Sequence, residues 1–263
     1  MTQKTELDVV TMEAVRDLIL VLADSKRLLG YRYAEWMLGA PELETGIACS
    51  SMAQDEWGHA RLLYALLKDF DEDVEALEHG REAPEYRNMQ VLDEPAPSWT
   101  DAVALMTVAD VALTVQFEAL ESSSYGPLRQ RVEKLIEEER FHAAHGAAWS
   151  RRLAAGTDAS RTALRESVEA ALPPVLAWFG PDSERGRDLV GAGVVDAAGS
   201  DLRSRFVERV APTLEALGLE EAGGRVPDLE GFDGARRRFP GGGPDPETIR
   251  RIRGDRNREF LMD

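Results

Sequence analysis

The chain has 263 residues, 43% of them hydrophobic and 30% charged, so it can bury a substantial core in one or two domains. Its formal net charge of −17 argues against nucleic acid as a partner, because phosphate binding requires a basic surface. The sequence shows neither a signal peptide nor an uninterrupted apolar stretch of the ~20 residues that span a bilayer. Cys49 is the single cysteine, which excludes an internal disulfide, and we expect a cytoplasmic protein that does not enter a membrane.

The first part of the chain predicts two long helices. Apolar residues recur at steps of three, four and seven over residues 8–38, which indicates one face of a helix. Ala40-Pro41 ends this helix, because the residue before a proline resists helical geometry. Pro41 then begins a second helix that runs to about Phe70. The acidic and proline-bearing stretch 71–97 predicts a longer connection.

A second pair of helices is predicted after this connection. Ser98 or Thr100 caps a third helix that runs to about Ser124. Tyr125-Gly126-Pro127 forms a turn, and the fourth helix continues from it to about Ala155.

The remainder of the chain predicts further helices and irregular segments. From Thr157 on, prolines at Pro173-Pro174 and Gly180-Pro181 interrupt the helices. Residues 218–245 are rich in glycine and proline and should be largely irregular. The basic tail 246–260 forms a short helix or an extended arm.

Together these elements predict an all-α fold. Two helices, a longer connection and two more helices is the order of a ferritin-like four-helix bundle. We place this bundle in residues 1–180. A C-terminal helical extension with the basic tail, packed on the bundle, occupies residues 181–263.

Two segments in the second and fourth helices repeat one pattern of an acid, a glutamate, two spacers and a histidine. They are Asp55-Glu56-Trp57-Gly58-His59 and Glu138-Glu139-Arg140-Phe141-His142. Because residues three apart share one face of a helix, each Glu-x-x-His places a carboxylate beside an imidazole. Two such helices, with one carboxylate from each of two partner helices, define the ferritin-like dimetal site.

These motifs predict a metal site whose ligands include Glu56, His59, Glu139 and His142. Glutamate and imidazole together suit Fe(II), Mn(II) or Zn(II), and an oxygen-rich site favours iron or manganese. The preceding acids, Asp55 and Glu138, are placed to accept the free N–H of the opposite histidine and fix its tautomer. An ordinary buried ion-pair cluster is the alternative interpretation.

Asp110 is the candidate carboxylate of the third helix, because it interrupts an otherwise apolar run from Val103 to Leu113. A carboxylate buried there without a partner would be costly, and metal coordination would compensate it. Thr114, one turn later on the same face, is a candidate catalytic residue that could line a pocket for oxygen. A core threonine bonded to its own helix is the alternative.

Short motifs spread over most of the chain are shared with one known family. They are Ala40-Pro41, Gln54-Asp55-Glu56, Gly58-His59, Ser98-Trp99-Thr100-Asp101, Asp110, Tyr125-Gly126-Pro127, Glu138-Glu139, Phe141-His142, Phe179-Gly180-Pro181, Asp201-Leu202-Arg203 and Arg205-Phe206-Val207. With them the chain resembles the subunits of ring-1,2-phenylacetyl-CoA epoxidase, the bacterial multicomponent monooxygenase of phenylacetate degradation. The spacing from Asp110 to His142 is similar to that of the catalytic subunit, whereas Ala34-Glu35-Trp36 with residues 40–44 looks more like the non-catalytic paralogue.

The resemblance implies an iron cofactor of one or two ions, with manganese as the alternative, and a homo- or hetero-oligomer whose partners are a reductase and a paralogous subunit. The ligands that it implies are Glu56, His59, Asp110, Glu139 and His142. It also implies a glutamate ligand in the first helix, about 30 residues before Glu56. This chain has Lys26 at that position, so one ligand of the family pattern is replaced by a cation.

The replacement changes the charge balance of the site. Four carboxylates neutralise two divalent ions, whereas the three that remain match one divalent ion plus one ammonium group. Lys26 is therefore a second candidate catalytic residue, standing in for one metal ion. Without metal, Lys26 and protonated histidines could hold the acids together as a structural network.

Three functions are consistent with these residues. The first is a metal-binding component of an epoxidase-type monooxygenase, which the five retained ligands favour. The second is a metal-poor paralogue that scaffolds the reductase or the catalytic subunit, which Lys26 favours. The third is generic iron or peroxide chemistry, which the resemblance of the C-terminal part disfavours.

An acyl-CoA substrate would require a cationic site for its phosphates. The candidate patches are Arg236-Arg237-Arg238 and the tail arginines Arg250, Arg251, Arg253 and Arg256. A contact between subunits or a solvated tail is the alternative interpretation of these arginines.

Overall fold

The computed structural model describes residues 7–260, which form an all-α fold with no β-strand. Four antiparallel helical segments make a ferritin-like bundle, as predicted. They are α1 (Val9–Glu35), α2 (Leu43–Tyr64), α3 with α4 (Trp99–Ala104 and Asp110–Glu118, joined by a π-helical turn at Leu105–Ala109) and α5 (Gly126–Ala154).

The later helices cover the bundle. They are α6 (Asp158–Trp178), α7 (Glu184–Gly191), α8 (Ser200–Leu217), α9 (Glu220–Gly223) and α10 (Pro246–Ile252). Helix α6 packs against α3 and the π-helical turn, and α8 packs against α4 and α5. The segment from α9 to α10 is irregular, as expected from its glycines and prolines.

Local sequence explains most helix ends. Ser98 caps α3, since its hydroxyl accepts a hydrogen bond from Asp101 N while the Asp101 carboxylate accepts one from Ser98 N. The second helix, however, begins at Leu43 and not at Pro41, because residues 36–42 form the turn that reverses the chain between two antiparallel helices.

The third helical segment differs from the prediction in two ways. It ends at Glu118, six residues early, and it contains the π-helical turn Leu105–Ala109 directly before Asp110. Wide turns of this kind occur often at functional sites. The stretch Trp99–Glu118 is also long and apolar enough to cross a membrane by length and composition, but 83% of its most apolar window is buried inside the protein, as in a core helix.

Helix α6 passes through Pro173-Pro174 without a break, so the predicted interruption there is wrong. Each proline leaves the carbonyl four residues earlier without its helical donor. These carbonyls belong to Glu169 and Ala170, which are exposed, so water can satisfy them. Burial of the neighbouring Leu172 against the core keeps the helix continuous.

Gly146 lets α5 approach the π-helical turn closely. A Cβ atom at this position would lie 2.9 Å from Met106 Cβ and 3.2 Å from its carbonyl oxygen. We therefore expect Gly146→Ala to lower the free energy of unfolding by about 1–3 kcal/mol, because the backbone of the turn must shift. Denaturant unfolding measures this effect.

The matched control is Gly58→Ala in α2, where a Cβ atom would meet nothing within 4 Å. This variant should gain up to about 1 kcal/mol, because alanine loses less conformational entropy in a helix than glycine does. Equal effects of the two substitutions would contradict the close approach of α5 to the turn.

Candidate functional site

Lys26 of α1 lies at the centre of a buried cluster of acids. Its Nζ donates to Glu56 Oε1 at 2.9 Å, to Asp110 Oδ1 at 3.0 Å and to Glu139 Oε1 at 2.6 Å. These carboxylates come from α2, α4 and α5, so each of the four helical segments of the bundle contributes one charged side chain. All four side chains are buried.

The charges in this cluster hold one another in place. Burial alone would lower the pKa of Lys26, but attraction to Asp110, Glu139 and Glu56 outweighs burial and raises that pKa above its ordinary value. Burial likewise acts to raise the pKa of Asp110, yet the Lys26 charge keeps it well below the ordinary range. Burial and the charge of Asp110 raise the pKa of Glu139 to about 7.

Both motif histidines point their Nδ1 atoms into the cluster. His142 Nδ1 lies 3.2 Å from Glu56 Oε1 and 3.5 Å from Asp110 Oδ2. His59 Nδ1 lies 3.2 Å from Glu139 Oε1. The structure therefore brings together all five residues that the sequence proposed as ligands, and Lys26 with them.

The acids that precede each motif lie on the outer side of the opposite histidine. His59 Nε2 is 2.7 Å from Glu138 Oε2, and His142 Nε2 is 3.3 Å from Asp55 Oδ2. The predicted crossing of these pairs is confirmed. Each acid can fix the tautomer or the protonated form of its histidine.

The two histidines are strong bases in this environment. Burial lowers the pKa of His142, but hydrogen bonds with Asp110 and Glu56 outweigh it and raise that pKa to about 11. Burial also opposes protonation of His59, and its contacts with Glu139 and Glu56 raise its pKa to about 9. Three basic groups thus face three carboxylates, and the cluster can balance its charge by itself.

Tyr33 of α1, which was not among the predicted site residues, belongs to the site. Its hydroxyl donates to Asp110 Oδ2 at 2.7 Å, and its ring lies edge-on to His142. The signal was its position two helical turns after Lys26, on the same face of α1.

Thr114 donates to the carbonyl oxygen of Asp110 at 3.0 Å and lies 3.3 Å from Glu139 Oε2, so it is both bonded to its own helix and part of the cluster.

The neighbouring acid of α1 cannot replace the missing carboxylate. Asp24 is fully buried and accepts hydrogen bonds from Tyr64, from both terminal nitrogens of Arg81 and from Arg87 N. It therefore belongs to a separate network on the other side of the helix.

The donor set fits one divalent ion. Ligand atoms of Glu56, Asp110, Glu139 and His142 lie within 4.8 Å of one another. Glu56 Oε2 and His59 Nδ1, which are 3.8 Å apart, are buried and make no well-aligned hydrogen bond within residues 7–260, although His59 Nδ1 lies 3.2 Å from Glu139 Oε1. A metal ion would satisfy both atoms.

The same set does not fit two ions. The Lys26 ammonium group lies among the carboxylates and provides a positive charge that a second ion would otherwise supply. Two divalent ions with Lys26 would leave three carboxylates against five positive charges in a buried core, which is strongly unfavourable.

A surface groove of about 450 Å³ reaches the cluster, and its lining includes Thr114 and Glu139. Arg140, Arg205 and Arg209 lie along it; Arg205 pairs with Asp196, and Arg209 with Glu118. The groove reaches Thr114, which contacts Glu139, while the Glu139 side chain itself stays buried.

Arg236-Arg237-Arg238 does not form a patch of free charges, because all three side chains are bonded within the chain; Arg238 is buried and the other two are half-buried. Arg236 donates to the carbonyl oxygens of Pro84 and Tyr86. Arg237 donates to Gln116, and Arg238 pairs with Asp93.

The tail arginines are also largely paired within the chain. Arg250 and Arg251 bind Glu247, and Arg253 binds Glu82 and Asp255. The side chain of Arg256 lies outside the described residues.

A four-helix bundle with two Glu-x-x-His helices and a buried carboxylate–histidine cluster defines a ferritin-like protein of the carboxylate-site class. Comparison with known proteins gives the particular family. The family model described as phenylacetic acid catabolic protein matches residues 1–232, and the chain belongs to this family.

Two curated relatives from Escherichia coli (strain K12) are different subunits of one enzyme, 1,2-phenylacetyl-CoA epoxidase. The chain is 28% identical to the first of them over 191 residues, which cover 70% of this chain and 60% of the relative. It is 29% identical to the second over 151 residues, which cover 57% of this chain and 61% of the relative. The chain thus spans about three fifths of the length of each.

Proposed function

We propose that this chain is a component of a phenylacetyl-CoA epoxidase-type multicomponent monooxygenase in phenylacetate catabolism. The observation that carries the proposal is the convergence of Glu56, His59, Asp110, Glu139 and His142 in the bundle core of a member of this family. The match through residue 232 also disfavours generic iron or peroxide chemistry.

We infer that the site takes one metal ion, iron or alternatively manganese, held by the five converging residues beside Lys26. A bound iron ion would supply oxygen activation. Lys26 supplies one of the three positive charges that balance the carboxylates and holds these groups in place, and Tyr33 orients Asp110 by donating to its Oδ2 atom. Thr114 lines the groove and lies next to Glu139, where it can position a small molecule.

Partners are part of the same proposal. A reductase and a paralogous subunit would complete the complex, since both curated relatives are subunits of one enzyme. The turn after α1 and the start of α2 expose Leu38 and Leu43 at 92% and 78%, together with Met37 and Ile47, and such apolar patches mark association surfaces. An acyl-CoA substrate and a cytoplasmic location complete the proposal.

A non-catalytic scaffold is the second candidate. The observation that favours it is the charge balance of the cluster, in which Lys26, His59 and His142 face three carboxylates without any metal. In that case the chain would hold the catalytic subunit, and its own core would be a structural ion network.

Iron content separates the two candidates. We expect the purified chain, loaded with Fe(II) without oxygen, to hold about one iron per chain by elemental analysis, because three carboxylates and Lys26 match one divalent ion. Glu56→Ala with His59→Ala should abolish uptake, since it removes one complete motif. No iron in the wild-type chain would support the scaffold, and equal uptake by the double variant would place the metal elsewhere.

A further inference from the structure

A small cavity of about 40 Å³ lies where the C-terminal part of the chain packs on the bundle. Its walls come from α1, from α7 and the loops on either side of it, and from residues 232–237. They are mostly apolar side chains and glycines, and the polar side chains among them are Asp17, Ser183, Arg185 and Arg237. A cavity of ~10–15 Å³ holds one water, whereas small-molecule sites have about 300–1,000 Å³. This cavity therefore suits an ion of one or a few atoms.

Arg237 brings a positive charge to this cavity without a carboxylate partner. Its Nη1 donates to Oε1 of the neutral Gln116 at 2.6 Å, and its guanidinium lies 5.1 Å from the centre of the Trp178 ring. No acid pairs with it within residues 7–260. Burial and repulsion by Arg185 lower the pKa of Arg237 to about 10, so it stays charged at neutral pH. Charges held away from water are normally paired, and this one lacks its partner.

Arg185, the second cation of the cavity, shares its acid with other arginines. It binds Asp17, whose carboxylate also pairs with Arg16 and Arg87 at 2.8 Å each. Of these three guanidinium groups, only that of Arg16 has a second acid in the described part of the chain, Glu72 at 3.6 Å. Positive charge is therefore in excess here, although the chain as a whole carries a net charge of −17.

Donors of both arginines remain available to a bound ion. Nε and Nη2 of Arg237 and Nε and Nη1 of Arg185 make no hydrogen bond within residues 7–260, and none of these atoms is enclosed by protein. The side chain of Arg185 is 32% exposed, so an ion from solvent can reach it. The Ser183 hydroxyl accepts a hydrogen bond from Gly186 N at 3.2 Å and can still donate its own proton. The donors that line the cavity thus match an anion.

The backbone at Arg237 is in an uncommon conformation. Its φ of 49° lies in the left-handed region, which residues other than glycine rarely adopt. Backbone hydrogen bonds between Asp233 and Arg238, at 3.0 and 3.3 Å, close the loop around it. Strain of this kind occurs often where a side chain has a function. Here it holds the guanidinium over Trp178 and at the cavity.

We propose that this cavity binds a small monovalent inorganic anion such as chloride between the guanidinium groups of Arg237 and Arg185. Water would satisfy the N–H groups but not the charge, whereas an anion satisfies both. The ion would tie residues 232–237 to α1 and α7. Because the site uses no residue of the carboxylate cluster, its failure and the failure of the proposed function are separate results.

Denaturant unfolding of the full-length chain tests the proposal, with sodium gluconate replaced stepwise by sodium chloride at constant ionic strength. Gluconate carries the same charge but is too large for the cavity. We expect the unfolding equilibrium constant to fall by about tenfold once chloride reaches about ten times its dissociation constant, because the ion binds only the folded state. The line width of chlorine-35 NMR gives a direct readout: it should broaden with the protein and narrow when bromide displaces chloride.

Two variants locate the ion. Arg237→Met removes the charge without an acid partner, and chloride should then change the unfolding equilibrium constant by less than about twofold. Arg185→Met leaves Gln116 and Trp178 in place and should weaken chloride binding by about tenfold. The matched control is Arg165→Met, which removes an exposed arginine of α6 that has no hydrogen bond or ion pair in residues 7–260. It should keep the full response to chloride.

Two results would overturn the proposal. One is unfolding that does not depend on the exchange of gluconate for chloride in the wild-type chain. The other is a response to chloride in Arg237→Met and Arg185→Met that equals the response in Arg165→Met, which would assign any chloride effect to the general surface.

Discussion

Lys26→Met is expected to destabilise the metal-free protein by about 3–5 kcal/mol, because removal of one partner leaves buried charges uncompensated. Methionine keeps the length of the lysine stem, so the loss reports the ammonium group and not a cavity. The three carboxylates would then face only the two histidines. A divalent ion should restore much of the loss, since it binds the folded state and supplies the missing charge.

Denaturant unfolding with and without Mn(II) measures this effect. The control is Lys134→Met, which removes a lysine that is 63% exposed and lies 3.6 Å from Glu138. Such a surface pair contributes about 0–1 kcal/mol. A loss in Lys26→Met no larger than in this control would show that the ammonium group does not hold the cluster together.

Lys26→Glu is expected to raise the metal content from about one ion per chain to about two. The substitution restores four carboxylates in the cluster. Because uncompensated acids in a bundle core are strongly unfavourable, the number of bound metal ions must rise with the number of carboxylates. The same variant should be barely folded without metal. Elemental analysis after Fe(II) loading and melting curves with and without metal give the two readouts.

Lys134→Glu is the matched control, because it makes the same change in net charge at an exposed position of α5. It should bind no additional metal. Two irons in the wild-type chain, or no gain in Lys26→Glu, would mean that the side chain of Lys26 does not occupy the position of a metal.

Local signals in the sequence were sufficient for most of the bundle. The helical periodicity of residues 8–38, the Ser98 cap and the turn before α5 each depend on neighbouring residues, so they could be predicted without the fold. The same is true of the repeated Glu-x-x-His motif, because residues three apart on a helix always share a face. The continuity of α6 across Pro173-Pro174 could not be predicted, since burial of one face outweighs the cost of the prolines there.

The residues of the site also divide into those that the sequence could predict and those that it could not. The sequence by itself determined which acids and histidines are candidate ligands, and the family resemblance added that Lys26 stands where a carboxylate is expected. Only the tertiary structure decided that Lys26 contacts all three acids, that Tyr33 binds Asp110 and that Arg236-Arg237-Arg238 is bonded within the chain. These contacts join residues 30 to 152 positions apart, and such distances are set by how the helices pack and not by any local pattern.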